Sequence, residues 1–105
     1  MNQGDIILVR YPFSTHTDYK IRPALVVSRN EFNYLFDIWV CSITSKKKNH
    51  TISLDNSIIE GQLDKESHAN PTNIATLNEE LILKKIGELS KEKTRQIVEA
   101  IKKNF

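Results

Sequence analysis

With 105 residues and a hydrophobic share of 39%, the chain is expected to form one domain over residues 1–105 around a modest core, with any site on the surface of that core. Its charged share of 27% excludes a disordered chain, the single Cys41 excludes an intrachain disulfide, and no apolar run approaches the roughly 20 residues that span a bilayer. The net charge of +2 conceals an asymmetry: residues 1–50 carry seven Lys or Arg against four Asp or Glu and the remainder eight against nine, an excess that suits a polyanionic ligand or plain solubility equally.

The N-terminus lacks a basic segment followed by a long apolar stretch and a small-residue cleavage site, which together with the lone cysteine points to the cytoplasm and to no membrane partner. Three apolar runs, Ile6 to Val9, Ala24 to Val27 and Leu35 to Ile43, are rich in β-branched and aromatic residues and have the length of strands. Between the first two, Pro12 to Tyr19 is a polar connection long enough to be a binding loop. In the third, alternation sets Phe36, Ile38, Val40, Ser42 and Thr44 on one face and Trp39, Cys41 and Ile43 on the other, so an apolar face ends in a hydroxyl pair. Cys41 reads as a small buried hydrophobe.

Lys46, Lys47 and Lys48, followed by Asn49 and His50, form an exposed basic turn beside that hydroxyl pair, where lysines can touch phosphate. Thr51 to Leu54 alternates like a further strand, Asp55 to Pro71 reads as a surface loop, and Thr72 to Leu77 as another short strand. Ser90 is a good helix N-cap, and Ile97, Val98, Ile101 and Phe105 recur at helical spacing, with Glu99 set four residues before Lys103. That stripe can pack on the strands or serve a dimer or partner contact. About five strands and one helix make a mainly β chain, best closed as a small, partly open barrel.

The histidines at 16, 50 and 68 and the single cysteine match no metal-ligand spacing, and the three glycines form no phosphate-cradling loop. Neither a metal nor another cofactor is expected. The specific signal is a set of segments in order: Gly4-Asp5-Ile6-Ile7-Leu8-Val9 with Tyr11-Pro12-Phe13, then Lys20-Ile21-Arg22-Pro23-Ala24-Leu25-Val26-Val27-Ser28, then Val40-Cys41-Ser42-Ile43-Thr44-Ser45, and later Thr76-Leu77 and Lys84-Lys85-Ile86-Gly87-Glu88-Leu89-Ser90. This arrangement resembles the MazF/PemK toxin family over nearly the whole chain.

The resemblance implies an SH3-like barrel of the CcdB/MazF type, a homodimer, and an endoribonuclease that cuts single-stranded RNA until a cognate antitoxin covers its RNA groove. DNA would be met only indirectly, through an antitoxin complex. It implies that Arg22 is the catalytic arginine and Thr44 the catalytic threonine. Chemistry independently favours the arginine: Pro23 biases Arg22 toward an extended conformation, and a guanidinium stays charged and presents a planar fork to two phosphate oxygens. Metal-free cleavage by a 2′-hydroxyl also needs a base and an acid. Threonine is too weakly basic to shuttle protons unaided, so His50 is the candidate base; histidine is the residue type that titrates near neutrality. Products would carry a 2′,3′-cyclic or 3′-phosphate and a 5′-hydroxyl. Lys20, Ser42, Ser45, Lys46, Lys47 and Lys48 are the expected substrate contacts.

Two positions depart from the family pattern. Asn70 stands before Pro71 where many members have a basic residue, and Ala75 stands where others have a further arginine, so RNA contacts there are expected to be weaker. Two other function classes fit the same barrel. One is a non-catalytic toxin like CcdB, which poisons DNA gyrase through C-terminal residues; the other is an SH3-like module that binds RNA without turnover, in which Lys46 to Lys48 would set the salt dependence.

Overall fold

The computed structural model of the chain describes residues 1–12, 19–35, 37–63 and 65–104. Among these residues seven strands, β1 (Asp5–Pro12), β2 (Tyr19–Val26), β3 (Ile38–Thr44), β4 (Ile52–Ser53), β5 (Ile58–Gly61), β6 (His68–Leu77) and β7 (Ile82–Leu89), form one sheet in the order β4-β6-β3-β2-β1-β7-β5. All neighbouring pairs are antiparallel, and the sheet curls into a half-barrel. A short helix α1 (Asn30–Leu35) and a 3-10 turn (Glu79–Leu81) interrupt the strands, and α2 (Lys91–Lys102) follows β7. The sheet ends on β4, with two residues, and β5, with four, so both edges offer little backbone to an intruding strand.

Several expected boundaries move. The run Leu35 to Ile43 is not one strand: Leu35 closes α1, and β3 begins at Ile38. The cause is a polar network around Asn33, whose Nδ2 donates to the carbonyls of Met1 and Ser28 at 3.0 and 3.1 Å. The Ser28 hydroxyl donates to Asn33 Oδ1 and accepts from the Trp39 amide, tying that helical turn to the start of β3. The segment from Asp55 to Pro71, read as a loop, contains β5 and the first residues of β6. Their strand character comes from pairing with β7 and β3 rather than from local pattern. Most of the expected loop between Pro12 and Tyr19, residues 13–18 with Phe13 and His16, lies outside the described residues, as do Phe36 and Phe105.

Both faces of the central strands are covered, which is why they read as unbroken apolar runs. On one face Ile6, Leu25, Val27, Cys41, Ile43, Leu54, Ala69 and Leu89 pack with Ile97 of α2; on the other Ile7, Val9, Ala24, Val26, Ile38, Val40 and Leu77 pack with Leu81 and Ile82. The alternation expected for β3 holds: Cys41 and Ile43 face α2, and Ile38 and Val40 face the second cluster. Burial raises the Cys41 thiol to about 12, and its Sγ donates to the Asn70 carbonyl at 2.9 Å, so Cys41 is a packing residue with little thiolate at neutral pH.

Helix α2 starts where expected. Ser90 is its N-cap, with Oγ accepting from the Lys93 amide at 3.2 Å, and Ile97, Val98 and Ile101 pack on the first cluster. The expected pair of Glu99 with Lys103 is replaced by Glu99 with Lys102 at 3.5 Å, because Lys103 is already the C-cap and gives its backbone amide to Glu99 O.

At the other end of the sheet, Gly4 adopts φ 97° in the turn before β1, donates to Val26 O at 2.9 Å and accepts from Leu89 N at 2.8 Å, binding the neighbours of β1 together. Asp5 follows it, buried, with Oδ2 accepting from Asn2 N at 2.9 Å and Oδ1 held 3.3 Å from Lys85 Nζ as an ion pair rather than an aligned hydrogen bond. The Asp5 carboxylate raises the Lys85 ammonium above the ordinary lysine value, so the pair stabilises the fold below that value and is lost as pH rises through the raised one. Lys85→Met is therefore expected to lower the urea midpoint at neutral pH and to match the wild type once both are measured above the lysine range. A midpoint difference that stays constant across that range would mean that packing, not charge, is responsible.

Candidate functional site

The described part of the site is built where β2 and β3 run out beyond their shared apolar face. The ladder between them pairs Val26 with Val40, Leu25 with Cys41 and Ala24 with Ser42. Ala24, Val26 and Val40 lie in the second cluster, so Ser42 and Thr44, at the same parity of β3, and Arg22, at the same parity of β2, belong to that face. Arg22 and Thr44 each lie two residues beyond the last bonded pair of that ladder, Ala24 with Ser42, on the same face. On its other side Arg22 pairs with Val9 of β1. The alternation that singled out Ser42 and Thr44 thus gathers them with Arg22 at the polar end of one apolar face.

Arg22 is exposed, and Pro23 after it is half-buried, so the β2 backbone is anchored while the guanidinium reaches solvent. Lys20, two residues further out on the same face, is also exposed and pairs with Tyr11. Thr44 is the last residue of β3 and is half-buried; its Oγ1 accepts from the Lys46 amide at 3.1 Å, turning the chain out of the sheet. Ser45, Lys46, Lys47 and Lys48 follow, all exposed. Thr51 closes this turn: its hydroxyl donates to Lys48 O at 2.9 Å and accepts from Lys48 N at 3.0 Å. Three exposed lysines thereby follow the Thr44 end of β3, a local concentration of positive charge that suits a polyanion.

His50 is placed differently from the rest. It is exposed in the turn before β4, and among the described residues no hydrogen bond or ion pair joins it to Arg22 or Thr44. The histidine that the fold brings beside Thr44 is His68, its direct partner in the β3·β6 ladder. Sequence reasoning missed it, since it falls in a segment read as loop and its neighbour is fixed only by long-range pairing.

The two departures from the family pattern have a structural setting. Ser42 pairs with Asn70 and Cys41 with Ile74, so residues 71–73 bulge out of β6. Pro71, which cannot donate to a ladder, sits in that bulge, and Asn70 Oδ1 closes it by accepting from Thr72 N at 3.1 Å and Thr72 Oγ1 at 2.6 Å. Asn70 and Pro71 therefore shape the strand facing Ser42. Nothing in the structure explains Ala75 beyond its packing against the second cluster.

Among the described residues no three His, Cys, Asp or Glu side chains converge as metal donors, and no helix is long and apolar enough to cross a membrane. A concavity of about 990 Å³ lies away from Arg22, on the α2 side of the sheet, lined among others by Trp39, Ile74, Arg95, Val98 and Ile101. Size does not decide the site, because this groove has neither the arginine and threonine nor the lysine turn.

Comparison with known proteins bears on the family and the fold. The model of a family described as PemK-like, MazF-like toxin of type II toxin-antitoxin system matches residues 2–105. No curated protein matches the chain. Among solved structures, the Mycobacterium tuberculosis toxin MazF-mt6 is 21% identical with TM-score 0.73, covering 94% of this chain and 93% of its own. A mycobacterial endoribonuclease in complex with its cognate antitoxin is 20% identical with TM-score 0.75, covering 98% and 90%. MazF from Deinococcus radiodurans is 15% identical with TM-score 0.74, covering 99% and 94%. At these identities the structures establish a shared fold.

Proposed function

We propose that this chain, which belongs to the PemK-like, MazF-like toxin family of type II toxin-antitoxin systems, is a metal-independent endoribonuclease that cleaves single-stranded RNA. The observation that supports this reading is that Arg22 and Thr44 lie on the same face of neighbouring strands, just past their last bonded pair, with Thr44 leading into the turn of Lys46 to Lys48. The lysines and Lys20 attract the RNA backbone, and Ser42, Ser45 and Thr44 offer hydroxyls that hold a phosphate or ribose in register. By this reading the Arg22 guanidinium stabilises the phosphorane that forms as a 2′-hydroxyl attacks the adjacent phosphorus.

By the same reading the enzyme acts in the cytoplasm as a homodimer and is restrained by a cognate antitoxin; the complex of a mycobacterial neighbour with its antitoxin supports such a partner. DNA enters only through that complex. The expected result with purified protein, single-stranded RNA and excess chelator is cleavage at a preferred sequence, leaving a cyclic or 3′-phosphate and a 5′-hydroxyl. Intact RNA in every sequence context, or cleavage restored only by added divalent metal, would overturn the proposal.

A further inference from the structure

On one face of the sheet Thr44, His68 and Ser53 stand in a row across three strands, linked by the pairs Thr44 with His68 and His68 with Ser53, and Arg22, paired with Val9, lies on the same face of β2. Residues directly opposed on neighbouring strands have Cβ atoms about 4.5–5.5 Å apart, which puts the Thr44 hydroxyl within the span of the His68 side chain. His68 is only 3% exposed, although Thr44 and Ser53 beside it are half-buried. A ring this enclosed does not meet RNA directly. Among the described residues its one polar contact is from Nε2 to Glu66 Oε1 at 3.7 Å, and the Glu66 carboxylate is largely in solvent.

The Thr44 hydroxyl has one proton and two lone pairs to place. The Lys46 amide takes one lone pair, and among the described residues the proton has no acceptor. In the resting geometry the hydroxyl is therefore undirected, able to present either its proton or its remaining lone pair to a substrate. A neutral imidazole with its proton on Nε2, toward Glu66, leaves Nδ1 as an acceptor.

Resting on the ribonuclease reading, we propose that His68 is a positioning residue: on RNA binding its Nδ1 accepts the Thr44 proton, and the one free lone pair of Oγ1 is thereby turned outward to accept from the RNA 2′-hydroxyl. Hydrogen bonds of this kind are commonly long in the unliganded enzyme and tighten when the reacting complex forms. Glu66 holds the tautomer, and Thr44 is committed as an acceptor rather than a donor to phosphate. The arrangement also gives Arg22 and Thr44 separate tasks, the first toward phosphate oxygen and the second toward the attacking hydroxyl.

The test is a double-mutant cycle on RNA cleavage with His68→Phe, which keeps a ring in the strand, and Thr44→Val. His68→Phe is expected to lower kcat about tenfold with KM changed less than about twofold, and to add no further loss once Thr44 is Val. His68→Gln, which keeps an acceptor, should recover part of the rate, and Glu66→Gln, at an exposed position, should lower kcat without changing Tm. Wild-type kcat in His68→Phe, or fully additive losses, overturns the inference while leaving the ribonuclease reading intact. If His68→Phe does not fold, the Gln variants carry the same cycle. If the wild type cleaves no RNA, the ribonuclease reading itself fails, and the imidazole 15N spectrum still decides the pairing with Thr44. In the presence of a single-stranded RNA that keeps its 2′-hydroxyls and is made non-cleavable by a methylene in place of the 5′ leaving oxygen, Thr44→Val should shift Nδ1 alone; unchanged ring nitrogens overturn it.

Discussion

Arg22→Ala is expected to lower kcat/KM for single-stranded RNA by about 10²–10³, the cost typical of removing one preorganised donor from a developing oxyanion. The size follows from where the charge is needed. As the 2′-oxygen bonds to phosphorus, negative charge grows on the non-bridging oxygens, and a guanidinium presents two parallel N–H groups to them without changing its own protonation. Arg22→Lys keeps the charge but not the fork and should recover only a small part of the loss. Arg22 is exposed, and the folded fraction of each variant is measured alongside its activity, so the loss is read per folded molecule. Steady-state cleavage of a fluorogenic RNA, with circular dichroism on the same samples, makes the measurement. Retained activity in Arg22→Ala would move the charge-stabilising role elsewhere, the lysine turn being the first place to look.

How far that site could be read in advance depends on which forces place its parts. Strand alternation is local, so Ser42 and Thr44 could be assigned one face from β3 alone, and the burial of Ile38 and Val40 against Cys41 and Ile43 bears this out. Ser90 and the stripe through Ile97, Val98 and Ile101 are equally local, since capping and 3.6-residue periodicity are written within one element. Helix α1 was hidden because its anchor, Asn33, bonds to the carbonyl of Met1, far away in the chain. A continuous apolar run concealed where the helix ended and β3 began.

Between β4 and the middle of β6, local pattern fails. Strand β5 reads as loop because Ile59, Glu60 and Gly61 are exposed on the sheet's edge, and the first residues of β6 because Asn70, Pro71 and Thr72 look like a turn. They do make a turn, but as a bulge inside a ten-residue strand. Register through that bulge decides that His68, and not His50, lies beside Thr44. A proton-handling histidine chosen by residue type and sequence proximity was therefore the least secure part of the sequence reading. Sequence distance to the lysine turn says little about distance across a sheet.

The largest effect on stability is expected from Ile97→Ala. Ile97 is fully buried, and it carries α2 into a cluster with Ile6, Leu25, Cys41 and Leu89, so truncation leaves a cavity that several strands would have to move to fill. Such changes cost about 2–5 kcal/mol, against a total near 5–15 kcal/mol for an ordinary domain, enough to leave an appreciable unfolded population at growth temperature. Helix α2 packs on the face opposite Arg22 and Thr44, so the folded fraction should keep its cleavage rate. Urea titration would show a lower midpoint at an unchanged slope, and activity normalised to folded protein would stay level. A loss of normalised activity comparable to that of Arg22→Ala would mean that α2 and the Arg22 face are coupled through the sheet. The two faces would then have to be treated as one functional unit.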